Sequence, residues 1–188
     1  MIKIIELIKQ DKLRVDALDC VFQLKLPDCY LAAGFVRNLV WDHLHQKTSP
    51  TPLNDMDVIY FDSEEVDDQA YLKYEAQLKQ QMPSINWQVR NQAKMNERNG
   101  DRAYLSSLDA MRFWPEKETA VAIRQMTKQD GTSNNPIYEC VSAFRVDTLF
   151  HLHITHNPQR ELSIFEQRIK AKNWLQQWPK LKVIIDQH

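Results

Sequence analysis

Two aspartates, Asp55 and Asp57, have the residue type and the spacing that divalent-metal chemistry requires. They begin an apolar run that is typical of a strand, and side chains two positions apart on a strand point to the same face. Two close carboxylates repel each other, and Mg²⁺ or Mn²⁺ relieves that repulsion because both ions prefer oxygen ligands. The pair therefore predicts a divalent-metal site. With 25 acidic residues in 188, chance alone supplies about three acidic-x-acidic triplets, so two solvated aspartates at an exposed strand end are the alternative.

A second element lies upstream, where a strand-like run passes through Ala33 and Gly34 into a helix-like run that carries Arg37 and Asn38. A glycine at such a junction lets phosphate groups approach the N–H groups of the helix N-terminus, where the helix dipole favours anions. Arg37, in the first turn, offers a charged fork to a phosphate. The alternative is that Gly34 only forms a tight turn.

Together these two elements resemble the polymerase-β-like nucleotidyltransferase superfamily, in which a strand, a glycine-containing turn and a helix precede a strand that carries Asp-x-Asp. Within that superfamily, the chain is similar to the small bacterial family known as nucleotidyltransferase family 6. The resemblance covers most of the chain. The similar segments are residues 33–38, 40–42, 52–62, 87–95, 98–100, 109–116 and 119–124, and residues 144–150 show a weaker similarity.

The resemblance implies transfer of a nucleoside monophosphate from an NTP to an acceptor hydroxyl, with release of pyrophosphate. It implies that Asp55 and Asp57 are the catalytic residues and the ligands of Mg²⁺ or Mn²⁺. The residues that it places against the nucleotide phosphates are Ala33, Gly34, Arg37 and Asn38.

The chain departs from the superfamily pattern in two places. Ala33-Gly34 stands where many members have Gly-Gly or Gly-Ser. Many members also supply a third carboxylate from the next strand, but residues 86–91 contain no acid. Asn91 is then a candidate neutral ligand of the metal or the substrate, although an amide cannot act as a general base.

Further candidates for nucleotide binding are basic. Arg90, Lys94 and Arg98 are spaced by four and would share one face of a helix. This stripe could bind the triphosphate or a polyanionic acceptor, and a solvated helix face is the alternative. Arg112 is a candidate for the same pocket unless it forms an ion pair with Asp109.

The elements that must position these residues alternate as in an α/β or α+β fold, with a small mixed β-sheet flanked by helices. The resemblance makes this the polymerase-β-like nucleotidyltransferase fold. Predicted helices span residues 2–24, 35–46, 64–81, 92–98, 105–113 and 161–178. Predicted strands span residues 29–33, 56–61, 85–89, 120–126 and 137–141, the last two joined by a turn that contains Asp130-Gly131.

Side-chain patterns within these elements lead to three further predictions. Helix 35–46 places Arg37, Asn38, Trp41 and His45 on the side opposite its apolar stripe. Trp174 and Trp178, four apart, are predicted to anchor the last helix in the core. The histidines predicted to be structural rather than metal ligands are His151, His153 and His156.

Composition limits the class of protein. A chain of 188 residues with 43% hydrophobic residues suits one globular domain, residues 1–188, and its net charge of −1 gives no general attraction to nucleic acids or membranes. Three cysteines without C-x-x-C spacing indicate neither a disulfide framework nor a zinc knuckle. The N-terminus lacks the apolar core of a signal peptide, and no stretch approaches the roughly 20 apolar residues that span a bilayer. We therefore expect a cytoplasmic protein without a membrane partner.

These features favour a Mg²⁺-dependent nucleotidyltransferase that uses an NTP. A small-molecule acceptor is slightly favoured over tRNA or protein, because the chain is neutral and short. Two other functions stay open. The missing third carboxylate suits a catalytically idle nucleotide-binding or regulatory module, and a toxin-like enzyme would nucleotidylate a protein or a tRNA. The sequence does not predict the oligomeric state.

Overall fold

Periodic apolar residues and local caps define the elements of the computed structural model, which describes residues 1–127 and 136–185. The described helices are α1 (Ile2–Lys9), α2 (Lys12–Phe22), α3 (Gly34–Leu44), α4 (Ala70–Gln81), α5 (Met95–Asn99), α6 (Ser107–Met111), α7 (Asp147–Phe150), α8 (Leu162–Lys172) and α9 (Trp174–Gln177). The described strands are β1 (Tyr30–Ala32), β2 (Met56–Tyr60), β3 (Trp87–Asn91), β4 (Val121–Met126), β5 (Ile137–Ser142), β6 (His153–Thr155) and β7 (Lys182–Ile184). Short 3₁₀ segments span Gln92–Lys94 and Lys117–Thr119. Within these ranges, no helix combines the length and apolar character that crossing a bilayer requires.

Strands β1 to β5 form one sheet with the order β3-β2-β1-β4-β5. The pair β2–β3 is parallel and the other pairs are antiparallel, so the sheet is mixed. Strands β6 and β7 form a separate parallel pair. This arrangement, with helices packed around the sheet, is the small mixed sheet flanked by helices that the sequence predicts.

The two faces of the sheet differ in what covers them. On β2, Met56, Val58 and Tyr60 belong to the main hydrophobic core. Ile59 points the other way and joins a small cluster that includes Ala32. Since side chains alternate along a strand, Asp57 shares the face of Ile59, outside the main core.

Helix α3 is buried on almost every side, so Arg37, Asn38 and Trp41, which are predicted opposite its apolar stripe, are covered rather than exposed. Trp41 has no exposed surface, because α9 and the residue that follows it pack on that side. The Trp174 and Trp178 rings meet Trp41 edge-on, with centroids 6.2 and 5.1 Å away. Trp174 and Trp178 are 3% and 1% exposed, which confirms them as core anchors.

Other differences from the predicted elements have local causes. The single helix predicted at 161–178 is divided into α8 and α9 at Asn173, which adopts the left-handed conformation with φ 57°. The helix predicted from residue 64 begins only at Ala70. Strands β6 and β7, of three residues each, were not predicted. The predicted hairpin pair is present as β4 and β5, and its Asp130-Gly131 turn lies outside the described residues.

Candidate active site

Two neighbouring cavities meet at Asp57 on the thinly covered face of the sheet. The larger cavity, about 300 Å³, is lined in part by Gln88, Arg90, Gln92, Asn99, Tyr104 and Trp114. The smaller cavity, about 80 Å³, is lined in part by Gly34, Arg37, Asn38, Asp55 and Lys172. Both cavities are lined by Ala33, Asp57, Thr119 and Arg168.

The aspartate pair carries negative charge that no direct ion pair with a described residue neutralises, and Arg37, Lys172 and Arg168 act on Asp57 only from a distance. Asp55 and Asp57 line the same cavity, as their spacing predicts. Among the described residues, none donates a hydrogen bond to the Asp57 carboxylate or pairs with it, and Asp55 has one long contact from Gln88 Nε2 at 3.4 Å. Burial, and then repulsion from Asp55, raises the pKa of Asp57 to about 6. A pair of this kind gains stability when a cation binds.

The donor set fits Mg²⁺ better than a metal held entirely by the protein. The described part of the chain contains no group of three or more His, Cys, Asp or Glu side chains that could enclose an ion. Two carboxylates beside an open cavity match the usual Mg²⁺ site, in which waters and substrate phosphates complete the shell. Structural zinc, in contrast, takes four nitrogen or sulfur ligands.

Gln88 occupies the position on the neighbouring strand where a third carboxylate would face the pair. It lies opposite Asp57 in the parallel register of β2 and β3. Its neutral amide contacts Asp55, so the site carries two negative charges rather than three. Among residues 86–91, it is therefore Gln88 rather than Asn91 that faces the aspartate pair.

The N-terminus of α3 borders the smaller cavity through Gly34 and carries backbone donors that lack a partner among the described residues. Ala33 N–H donates to Val121 O at 3.0 Å, and Ala33 O accepts from Val36 and Arg37. The N–H groups of Gly34 and Phe35 have no acceptor among the described residues. Two unpaired N–H groups at the start of an 11-residue helix favour an anion.

Backbone strain at this junction lies on Ala33 rather than on Gly34. Ala33 adopts φ 55° and ψ −120°, a conformation that suits glycine. A Cβ at Gly34 would lie 3.5 Å from Arg37 Nη2, which is ordinary contact. Many members of the superfamily that the sequence resembles have glycine at this strained position, where this chain has alanine.

We expect Ala33→Gly to stabilise the protein by about 1 kcal/mol, because relief of about 1–3 kcal/mol of strain exceeds the added freedom of the unfolded chain. Urea unfolding measures this change. Ala32→Gly is the matched control, since Ala32 is buried in β1 and has no positive φ. It should destabilise the protein, and an equal loss for both variants would contradict strain at Ala33.

Arg37 is a buried cation held by neutral partners. Its Nη1 donates to Thr119 Oγ1 at 2.6 Å, and its Nε and Nη2 donate to Asn38 Oδ1 at 3.2 and 3.0 Å. The guanidinium lies 5.0 Å from the Trp41 ring and 4.5 Å from the Trp174 ring. Burial lowers the pKa of Arg37 to about 10, so it stays charged at neutral pH. No described carboxylate forms an ion pair with it, and the charges of Glu116, Asp57 and Asp55 act on it only from a distance.

Sequence reasoning missed the residues that reach the site from distant segments. Arg168 and Lys172 come from α8, and Thr119 comes from a 3₁₀ segment. Spacing by four places Arg168 and Lys172 on one face of α8, which is the only signal that the sequence offers. Nothing local connects that face with the aspartates.

Three predicted phosphate-binding residues, Asn91, Lys94 and Arg112, line neither cavity, so the structure does not bring them to the aspartates. Asn91 uses its side chain to bridge the backbone of Asp62 and Ala93 and to donate to Glu65, because it closes the turn after β3.

Lys94 and Arg112 lie at the surface. Lys94 Nζ pairs with Asp68 at 2.7 Å. Arg112 is exposed, and the ion pair with Asp109 is not formed, because Asp109 pairs with Arg102 at 2.8 Å. Both residues lie close to the motifs along the sequence, but neither lines the cavities that contain the aspartates.

The three histidines that are predicted to be structural lie in or next to β6. His156 is buried, and its Nε2 lies 2.8 Å from Arg160 O. The His151 and His153 rings are 5.9 Å apart. The three do not form one of the metal-binding groups sought among residues 1–127 and 136–185.

Comparison with known proteins agrees with this geometry. The model of a nucleotidyltransferase family matches residues 19–183. A solved NMR structure, described as revealing a CCA-adding enzyme head domain, is 27% identical and superposes with a TM-score of 0.81. That match covers 100% of this chain and 96% of the other. No curated protein matches the chain. The structural similarity confirms the predicted fold.

Proposed function

Because this chain belongs to the nucleotidyltransferase family, we propose that it is a Mg²⁺-dependent enzyme that transfers a nucleoside monophosphate from an NTP to an acceptor hydroxyl. The observation that carries the proposal is the unpaired Asp55 and Asp57 carboxylates beside the open N-terminus of α3. One feature attracts a divalent cation and the other attracts phosphate, and a metal–triphosphate complex satisfies both. We place this activity in the cytoplasm and assign it to one domain, residues 1–188.

The smaller cavity receives the β- and γ-phosphates in this proposal. The N–H groups of Gly34 and Phe35 donate to phosphate oxygens, and Arg37 and Asn38 lie within the next turn. Asp55 and Asp57 would hold Mg²⁺, which would neutralise the charge that develops on the phosphates. Ala33 lines both cavities, so its backbone lies beside the triphosphate path.

The larger cavity receives the acceptor. Attacking and leaving oxygens lie roughly in line in phosphoryl transfer, so an acceptor must enter from the side opposite the pyrophosphate. The acceptor oxygen forms a bond to the α-phosphorus as the bond from that phosphorus to pyrophosphate breaks. Asp57 is the only carboxylate among the described residues of this cavity, and we assign it to the metal rather than to proton transfer. The acceptor proton therefore passes to solvent.

The polar lining of the larger cavity favours a neutral acceptor over a cationic one. Gln88, Gln92 and Asn99 contribute amide groups, and Arg90 contributes a positive charge. Gln92 is 5% exposed and uses only its Nε2, which donates to Arg90 O at 3.3 Å. Amides beside the Trp114 ring suit a small polar molecule with hydroxyl groups. The solved relative is a CCA-adding enzyme head domain, so an RNA end is the acceptor to test against it.

Gln88 supports one competing function, a catalytically idle nucleotide-binding module. A neutral amide replaces the third carboxylate, while the features that would bind metal and phosphate are retained. Such a module would bind Mg²⁺–NTP and would not release pyrophosphate.

The test combines binding with label transfer. Calorimetry with each NTP, in Mg²⁺ and in EDTA, should show Mg²⁺-dependent binding of at least one. That NTP, labelled at its α-phosphate, is then incubated with small-molecule, RNA and protein fractions of a cell extract. Label in the small-molecule fraction supports our proposal, and label in RNA or protein supports the toxin-like alternative. Binding without pyrophosphate release supports the idle module, and no binding overturns the proposal.

A further inference from the structure

Arg168 lies where the two cavities meet. Of the described residues that line both, Ala33, Asp57, Thr119 and Arg168, only Arg168 is a cation. If the pyrophosphate leaves into the smaller cavity and the acceptor enters from the larger one, the α-phosphate lies at this junction. Lys172 lines only the smaller cavity. Arg90 lines the larger one and pairs with Glu75 at 2.8 Å.

The guanidinium of Arg168 is anchored on one side and open on the other. Its Nε donates to Glu116 Oε1 at 2.6 Å, and its Nη2 donates to Glu116 Oε2 at 3.3 Å. Its Nη1 has no acceptor among the residues that the structure describes. Glu116 has no exposed side-chain surface, whereas the Arg168 side chain is 37% exposed. Nη1, the nitrogen that does not contact Glu116, is therefore the part of the guanidinium that can donate to a substrate.

Glu116 is fixed in place by the backbone around it. It precedes the 3₁₀ segment Lys117–Thr119, and it forms an isolated β-bridge with His156. A carboxylate without exposure strongly favours a charged partner, so Glu116 holds Arg168 before any substrate binds. On α8, fully buried Phe165 secures the turn before Arg168. Donors fixed in advance stabilise developing charge without reorganisation.

We propose that Arg168 is a catalytic residue, whose Nη1 donates to an α-phosphate oxygen as the acceptor bond forms and the bond to pyrophosphate breaks. Glu116 is its positioning residue. This inference rests on the proposed function, because it assumes that an NTP spans the two cavities. It adds a transition-state contact from α8, outside the two sequence motifs.

The experiment compares Mg²⁺-dependent pyrophosphate release and Mg²⁺–NTP affinity in the full chain, with water as the acceptor until another is found. We expect Arg168→Gln and Arg168→Lys to lower kcat by about 10²–10³-fold, as loss of one donor to a developing oxyanion does. The Kd for Mg²⁺–NTP should change by less than tenfold. In Arg168→Lys, the ammonium group can still pair with Glu116 but lacks the planar set of donors that a guanidinium has. This variant therefore separates the effect of the charge from the effect of the donor geometry. Lys170→Gln, which removes a charge from an exposed position on α8, should match wild type.

Two further variants separate catalysis from structure. Glu116→Gln should lower kcat while Kd stays close to that of wild type, because Arg168 loses its anchor. In Arg168→Ala, added guanidinium ion should restore part of the rate, which a structural role would not allow. Wild-type kcat in Arg168→Gln, or a loss confined to Kd, overturns the role of Arg168 alone. Wild type that binds no NTP overturns the proposed function and this inference with it.

Discussion

Asp57→Asn is expected to abolish Mg²⁺-dependent NTP binding and transfer while the fold stays intact. Asparagine keeps the shape of the side chain and removes a charge from one of two metal ligands. The loss should exceed about 100-fold in metal affinity, since loss of outer-shell support alone reaches that range. Calorimetry with Mg²⁺–NTP measures it, and circular dichroism checks the fold.

The same variant should change how stability depends on pH in the absence of metal. The pKa of Asp57 is about 6 in the folded protein, above its ordinary value of 3.8. Between these values the folded state keeps a proton that the unfolded state releases. The contribution of this group to stability is thus complete below about pH 4 and is lost as pH rises through about 6. Urea unfolding should show this decline in wild type and a smaller one in Asp57→Asn, and Mg²⁺ should offset the decline in wild type.

Asp62→Asn is the matched control for both measurements. Asp62 is the next acid along the chain, lines neither cavity, and caps the backbone N–H of Glu64. Its variant should bind Mg²⁺–NTP like wild type. If Asp57→Asn retains wild-type affinity, or if both variants lose it equally, the metal site is wrongly assigned.

The sequence predicts the parts of this site that depend on local periodicity. Asp55 and Asp57 share a cavity because alternation along a strand is a property of the backbone. The junction of Ala33 with Gly34 begins a helix as predicted, since that change of period is also local. The strained φ of Ala33 is not readable from its identity, because nothing in the sequence marks alanine as taking a conformation that glycine prefers.

Longer-range packing determines what the sequence does not predict. The sequence places Trp41 on the side of α3 opposite the apolar stripe, and only the tertiary structure shows that α9 covers this side. Arg168 and Thr119 reach Asp57 through tertiary contacts that no motif encodes. Lys94 shows the reverse case, because it lies within a segment that resembles the family, residues 87–95, and yet pairs with Asp68 away from the aspartates.

Arg37→Met is expected to separate nucleotide binding from stability. Methionine is flexible enough to fill the space between the Trp41 and Trp174 rings, and it removes a buried charge that no described carboxylate contacts directly. Removing the charge also removes its desolvation penalty, which offsets the loss of donors to Thr119 Oγ1 and Asn38 Oδ1, so the free energy of unfolding should fall by less than about 1 kcal/mol. Affinity for Mg²⁺–NTP should fall by about 10–100-fold, as hydrogen bonds to charged groups contribute about 1.5–3 kcal/mol. Calorimetry and urea unfolding on the same preparation give both values.

Arg14→Met is the matched control, because Arg14 is also buried and also lies against α3. Arg14 is 2% exposed, and its Nε donates to Phe35 O at 2.8 Å while its Nη1 pairs with Asp11. Its loss removes the side-chain donor to that carbonyl and the partner of Asp11, so this variant should lose about 1–3 kcal/mol of stability and keep its affinity for nucleotide. Opposite responses of the two arginines would identify Arg37 as a phosphate-binding residue that the fold does not need. If Arg37→Met unfolds like Arg14→Met and binds NTP like wild type, Arg37 is structural, and the triphosphate does not occupy the smaller cavity.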